Sequence, residues 1–171
     1  MAQSIPLDPP PTHIACAVRG RPESRATVTR AIDLALEHGA RLTFFHASDA
    51  EFLEHATIGP LSVVYNELHE MRVFTMLILV DRAQRRGVAQ VDYVLCEGDF
   101  RKQLLAFVVE TDAEWLVMGR PASEAGPSPV YGADRPTFTP KAFDELVADL
   151  EREGNLRVLV VEADSEGEAG A

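Results

Sequence analysis

Five short apolar runs lie along the chain with helix-patterned stretches between them, and this alternation restricts the fold more than any single motif does. The runs are HIACAV (His13 to Val18), RLTFFH (Arg41 to His46), VDYVL (Val91 to Leu95), WLVM (Trp115 to Met118) and LRVLVV (Leu156 to Val161). Short, near-continuous apolar runs suit strands buried on both faces, which is the condition of a parallel sheet. Parallel strands need crossover connections, and right-handed crossovers carry helices to both faces. The expected fold is a doubly wound α/β domain, a three-layer sandwich. Its ligands should gather at the carboxyl ends of the strands, near the loops that follow the first and fourth.

The stretches between the runs carry helix signals. Ser24 to His38 places Val28, Ala31, Ile32 and Ala35 on one face and meets Gly39 as a stop. Leu61, Val64, Leu68 and Met71 recur at helical spacing after Gly59-Pro60, and the segment stops at Gly87. It contains VFTMLILV (Val73 to Val80), which reads as a strand in isolation; its charged flanks favour a helix. Such a helix, apolar on several sides, is expected to bury part of its surface in the core and to offer part to a second subunit. Asp99 is placed as N-cap before Phe100, Leu104, Phe107 and Val108, and Thr139-Pro140 begins a last helix through Arg152.

A chain of 171 residues is expected to make one domain, spanning 13–162. The proline-rich arm 1–12 and the acidic tail 163–171 are expected to stay outside it. A net charge of -11 disfavours nucleic acid and anionic membrane surfaces, and no apolar stretch reaches the roughly 18 residues of a membrane span. The expected location is the cytoplasm. Two cysteines, Cys16 and Cys96, read as separate thiols, with Glu97 beside Cys96 disfavouring its thiolate.

Five pieces of the chain, HIACAVRGRPES, ALEHGARLTFFHA, RRGVAQVDYVLCEGDF, TDAEWLVMGRP and LRVLVVEA, resemble in order and spacing those of the universal stress protein family, over roughly residues 13–162. The resemblance implies a five-stranded parallel sheet of order 3-2-1-4-5. It also implies a homodimer through the C-terminal strand, 156–161, and, in one branch, a site for ATP. That site is marked by an acidic residue at the end of the first strand and by G-x2-G-x9-G-[Ser/Thr] after the fourth. Here Arg19 stands at the acidic position. Gly119 matches the first glycine, Ala122 replaces the second, Gly132 falls at the third, and Ala133 replaces the hydroxyl residue.

The nucleotide site is therefore expected to be degenerate, and Pro121, Pro127, Pro129 and Pro136 remove further amide donors from its loop. Arg19, Arg120 and Arg135 can supply charge to an anion, and Thr137 or Thr139 a hydroxyl. RGRPES also echoes the pyrophosphate loop of adenylating enzymes at Gly20 and Ser24; a turn with a helix cap from Glu23 or Ser24 explains it better. The candidate ligand-binding set is Arg19, Gly20, Gly119, Arg120, Gly132 and Thr139.

His46, Asp49, Glu51, Glu54 and His55, with Glu67, His69 and Glu70 beyond, lack the spacing of a zinc site and read as a solvated acidic cluster. No nucleophile elbow or G-x-x-x-x-G-K-[Ser/Thr] occurs, so no catalysis is expected. Two functional readings result. One is a dimeric stress-response or regulatory module that acts through protein contacts; the other is a domain sensing an adenine nucleotide (ATP or AMP) or another anion in a remodelled pocket between the first-strand and fourth-strand loops.

Overall fold

The computed structural model describes residues 9–19, 24–48, 60–121 and 139–162. Within them, the strands are β1 (His13–Ala17), β2 (Arg41–Ser48), β3 (Val91–Glu97), β4 (Trp115–Gly119) and β5 (Arg157–Val161). The helices are α1 (Ser24–His38), α2 (Pro60–Arg85), α3 (Phe100–Glu110) and α4 (Pro140–Gly154). All four strand pairings are parallel, and the sheet order is β3-β2-β1-β4-β5. Both expectations of fold, the doubly wound class and the strand order, match.

Every residue of β1 is buried, as its central place requires. Alternate side chains along it serve opposite faces. Ile14, Cys16 and Val18 join Val28, Ile32 and Ala35 of α1 and Met76 and Ala83 of α2 in one apolar cluster. Ala15 and Ala17 join Leu104 and Phe107 of α3 and Phe143, Leu146 and Leu150 of α4 in the other. Two cores separated by one sheet are what near-continuous apolar strands require.

The expected caps and stops are in place. The amide of Lys102 donates to Asp99 Oδ1 at 2.9 Å, and that of Ala142 to Thr139 Oγ1 at 3.2 Å, each satisfying a donor left free by a helix start. Gly39 and Gly87 follow α1 and α2 with φ of +64° and +106°, where a β-carbon would be strained. The strand ends are less legible. β2 and β3 each run two residues past the apolar run, because the ladder continues through Ala47 opposite Cys96 and Ser48 opposite Glu97. β1 stops one residue early at Ala17, although the Val18 amide still donates to the Phe45 carbonyl at 2.8 Å.

VFTMLILV lies wholly within α2, a helix of 26 residues. One side of that helix enters the core through Met76 and Ala83, while Met71, Phe74, Leu77 and Ile78 remain about half exposed or more. Trp115 packs edge-on to His38 at 5.1 Å, with the Arg157 guanidinium 5.5 Å from its ring, so it is a packing residue. Among the described residues, no helix is long and apolar enough to cross a membrane.

The amino ends of the strands are tied by a network that sequence reading passed over. Buried His13 sits 2.6 Å from Asp112 Oδ1 and 2.8 Å from Thr43 Oγ1, and the Thr43 hydroxyl donates to Asp92. Arg41 also reaches Asp112, at 2.7 Å. The His13 bond, assisted by Arg41, holds the Asp112 carboxyl below the usual range. His13 and Thr43 are both buried, so this histidine and hydroxyl, with the carboxylate of Asp92, lock β1, β2 and β3 together.

Candidate functional site

The opposite edge of the sheet, where the strands end, carries the chemistry. Val18 leaves β1 with its carbonyl facing β2, and His46 Nδ1–H donates to that oxygen at 2.7 Å. This bond places the proton on Nδ1 and leaves Nε2 as the acceptor of a neutral imidazole. Burial pushes the His46 pKa down, against the Val18 bond, which raises it, and nearby Arg72 lowers it further.

Beside His46 lies a cavity of about 290 Å³, between the ends of β1 and β2 and the inner side of α2. Val18, Leu68, Met71 and Met76 give it apolar walls, and Arg19, His46, Arg72 and Thr75 its polar ones. Arg72 Nη1 is buried with no hydrogen-bond partner among the described residues. Burying an unmatched cationic donor is costly, and an anion is the group that offsets the cost. The Arg72 guanidinium beside a neutral histidine suits an oxyanion better than a metal cation. Among the described residues, no cluster suited to a metal ion occurs.

The structure places the sequence-derived set as follows. Gly20 and Gly132 lie outside the described residues, as do Ala122, Ala133, Arg135 and Thr137. Arg19 lines the cavity, with its guanidinium 5.3 Å from the Phe100 ring and 6.0 Å from that of Phe143. Arg120 lies over the same Phe143 ring at 5.1 Å, so one aromatic side chain brings the two arginines together. Arg120 is also engaged by carboxylates, Nε with Glu162 at 2.9 Å and Nη1 with Asp144 at 3.0 Å. Glu162 first, then Asp144, hold its guanidinium still more firmly protonated.

Gly119 ends β4 under close contact. A β-carbon there would stand 2.6 Å from Thr27 Oγ1 of α1, so helix packing alone demands glycine at this position. Thr139 Oγ1 is occupied in capping α4. The residues that sequence reading did not assign to the site are Arg72 and Phe143, and it placed His46 in an acidic cluster instead. A histidine closing an apolar run was a usable signal for His46; an arginine inside a helical pattern gives none for Arg72.

The thiols lie apart, Cys16 on β1 and Cys96 on β3 with β2 between. Burial pushes Cys16 up to about 12. Cys96 is also raised, by burial and then by Glu110; the sequence pointed to Glu97, which is not the carboxylate responsible.

The profile of the Universal stress protein family matches residues 11–126. The chain belongs to that family. No curated protein matches it at a significant level. Solved structures of family members share the fold at low identity. UspA from Lactobacillus plantarum superposes with a TM-score of 0.60 at 14% identity, covering 88% of this chain and 97% of that one. A universal stress protein in complex with cAMP gives 0.53 at 19%, covering 90% and 98%. The family member from Archaeoglobus fulgidus in complex with dAMP gives 0.51 at 14%, covering 87% and 96%.

Proposed function

We propose that this chain is a non-catalytic, cytoplasmic regulatory module of the universal stress protein family that responds to a small phosphate-bearing ligand, such as a nucleoside monophosphate. The observation that carries this reading is the cavity lined by Arg72 and neutral His46, next to the buried Arg72 Nη1 that has no partner among the described residues. At about 290 Å³ it lies near the small end of ligand pockets, roughly 300–1,000 Å³, and suits one phosphate with part of its substituent. The complexes of two family members with cAMP and dAMP support a monophosphate over a triphosphate.

The departures of the sequence at Arg19, Ala122 and Ala133 from the ATP-binding pattern agree with that preference. Arg120, already paired with two carboxylates, is less available to a polyphosphate than a lone cation would be. A role in stress response and pairing of two copies through the free edge of β5 belong to the same proposal.

Thermal unfolding with AMP, cAMP, ATP, inorganic phosphate and adenosine tests it. A ligand at 100 times its dissociation constant stabilises the folded chain by about 2.7 kcal/mol, enough to move the melting temperature by several degrees. The expected outcome is a rise with AMP or cAMP that is absent with adenosine and is lost in Arg72→Met. No rise with any phosphate compound at millimolar concentration sinks the proposal.

A further inference from the structure

We infer that His46 Nε2 determines the specificity of the cavity beside it, selecting an oxyanion that carries its own hydroxyl over one that carries none. The ligand class is a hydrogen phosphate, free or as the protonated form of a phosphate monoester. The inference rests on the phosphate reading above and narrows it to one chemical form.

A cavity chooses its ligand through the polar atoms that folding leaves unspent. Thr75 spends its hydroxyl hydrogen on the Met71 carbonyl, at 2.8 Å. Arg19 is seated against the Phe100 and Phe143 rings. His46 spends its Nδ1–H on the Val18 carbonyl, at 2.7 Å. Two lining groups are left with opposite needs. Arg72 offers donors only, and its Nη1 has no partner among the described residues. His46 Nε2 has no partner among the described residues either, and in the neutral ring it can only accept. The ring stays neutral at pH 7.5, because burial and the Arg72 charge both push its pKa down.

The Arg72 charge acts on His46 and the cavity measures only about 290 Å³, so one phosphate group can meet both residues. An oxyanion held there sets lone pair against lone pair at Nε2 unless one of its oxygens bears a hydrogen. Hydrogen phosphate supplies both needs, charged oxygens for Arg72 and a P–OH for Nε2. Sulfate has the same shape and, at pH 7.5, the charge of the hydrogen phosphate dianion, but no hydrogen. A site built to bond a hydroxyl rejects the analogue that lacks it, because its own polar atom is then left unpaired.

Calorimetric titration of the full chain at pH 7.5 with inorganic phosphate, sulfate and AMP tests the inference. Phosphate is expected to bind at least about tenfold more tightly than sulfate. His46→Asn keeps a donor for the Val18 carbonyl and lacks Nε2, so it should bring the two anions within about twofold of each other while circular dichroism stays unchanged. AMP separates the two sources of the P–OH group. Tighter binding of AMP than of phosphate assigns it to a monoester whose substituent covers the apolar walls, and the reverse assigns it to the free anion; either order supports the inference if sulfate is rejected. Sulfate bound by the wild-type chain as tightly as phosphate overturns it and leaves the phosphate reading standing. A preference for phosphate that His46→Asn retains in full overturns it as well. Binding of none of the three anions at millimolar concentration overturns both readings.

Discussion

A single hydrogen atom on Gly119 decides how closely α1 can lie against the end of β4. With Thr27 Oγ1 2.6 Å from where a β-carbon would stand, and Thr27 itself buried, neither side has room to yield cheaply. Gly119→Ala is expected to cost about 1–3 kcal/mol in denaturant unfolding, the range for overpacking a filled site. Thr27→Ala should recover part of that loss in the double variant, with a coupling of at least about 0.5 kcal/mol. Strictly additive effects would show that the contact is not the cause. The same residue was legible in the sequence as the first glycine of a phosphate motif. Its neighbour Thr27 was not, because nothing in the sequence announces which helix residue will face a strand end.

At the scale of elements, His46 fastens the end of β2 to the end of β1 through the Val18 carbonyl. Its pKa in the folded chain lies below the ordinary value of about 6.5, so on acidification the unfolded chain takes the proton first. The stability contributed by the neutral imidazole is complete above about pH 6.5 and is lost as the pH falls from there toward the folded value. His46→Asn keeps an N–H donor near the Nδ1 position but does not titrate. Unfolding free energies at pH 7.5 and 5.5 should therefore differ more for the wild-type chain than for the variant. Equal differences would mean that His46 contributes nothing to the acid sensitivity. The α2 helix shows the limit of reading elements from pattern. Periodicity identified it as a helix with more apolar residues than one face needs, while the side left uncovered became visible only once Met76 and Ala83 were seated on the sheet.

Across the whole molecule, two apolar clusters share one sheet, and Cys16 sits at its centre on β1 with no exposed surface. Burial pushes its thiol up to about 12, so neither access nor ionisation is available while the chain is folded. Cys96, on edge strand β3, is partly exposed. A thiol reagent at pH 8 is expected to label Cys96 in the native protein and Cys16 only through global unfolding, with a denaturant midpoint matching that of circular dichroism. Labelling of both at equal rates under native conditions would mean that the central strand opens locally.

The sequence by itself determined the order of strands and helices, the caps at Asp99 and Thr139, and the stops at Gly39 and Gly87. Each of these depends on residues within a turn or two of one another, where period and backbone preference act directly. Only the tertiary structure decided that Arg120 lies between Glu162 and Asp144, that Phe143 gathers Arg19 and Arg120, and that Arg72 and His46 line one cavity. These partners are 23 to 124 residues apart and meet because parallel strands bring their carboxyl ends to one edge. A local pattern tells which side chains share a face; what stands opposite that face is fixed by the crossovers and the packing of helices on the sheet.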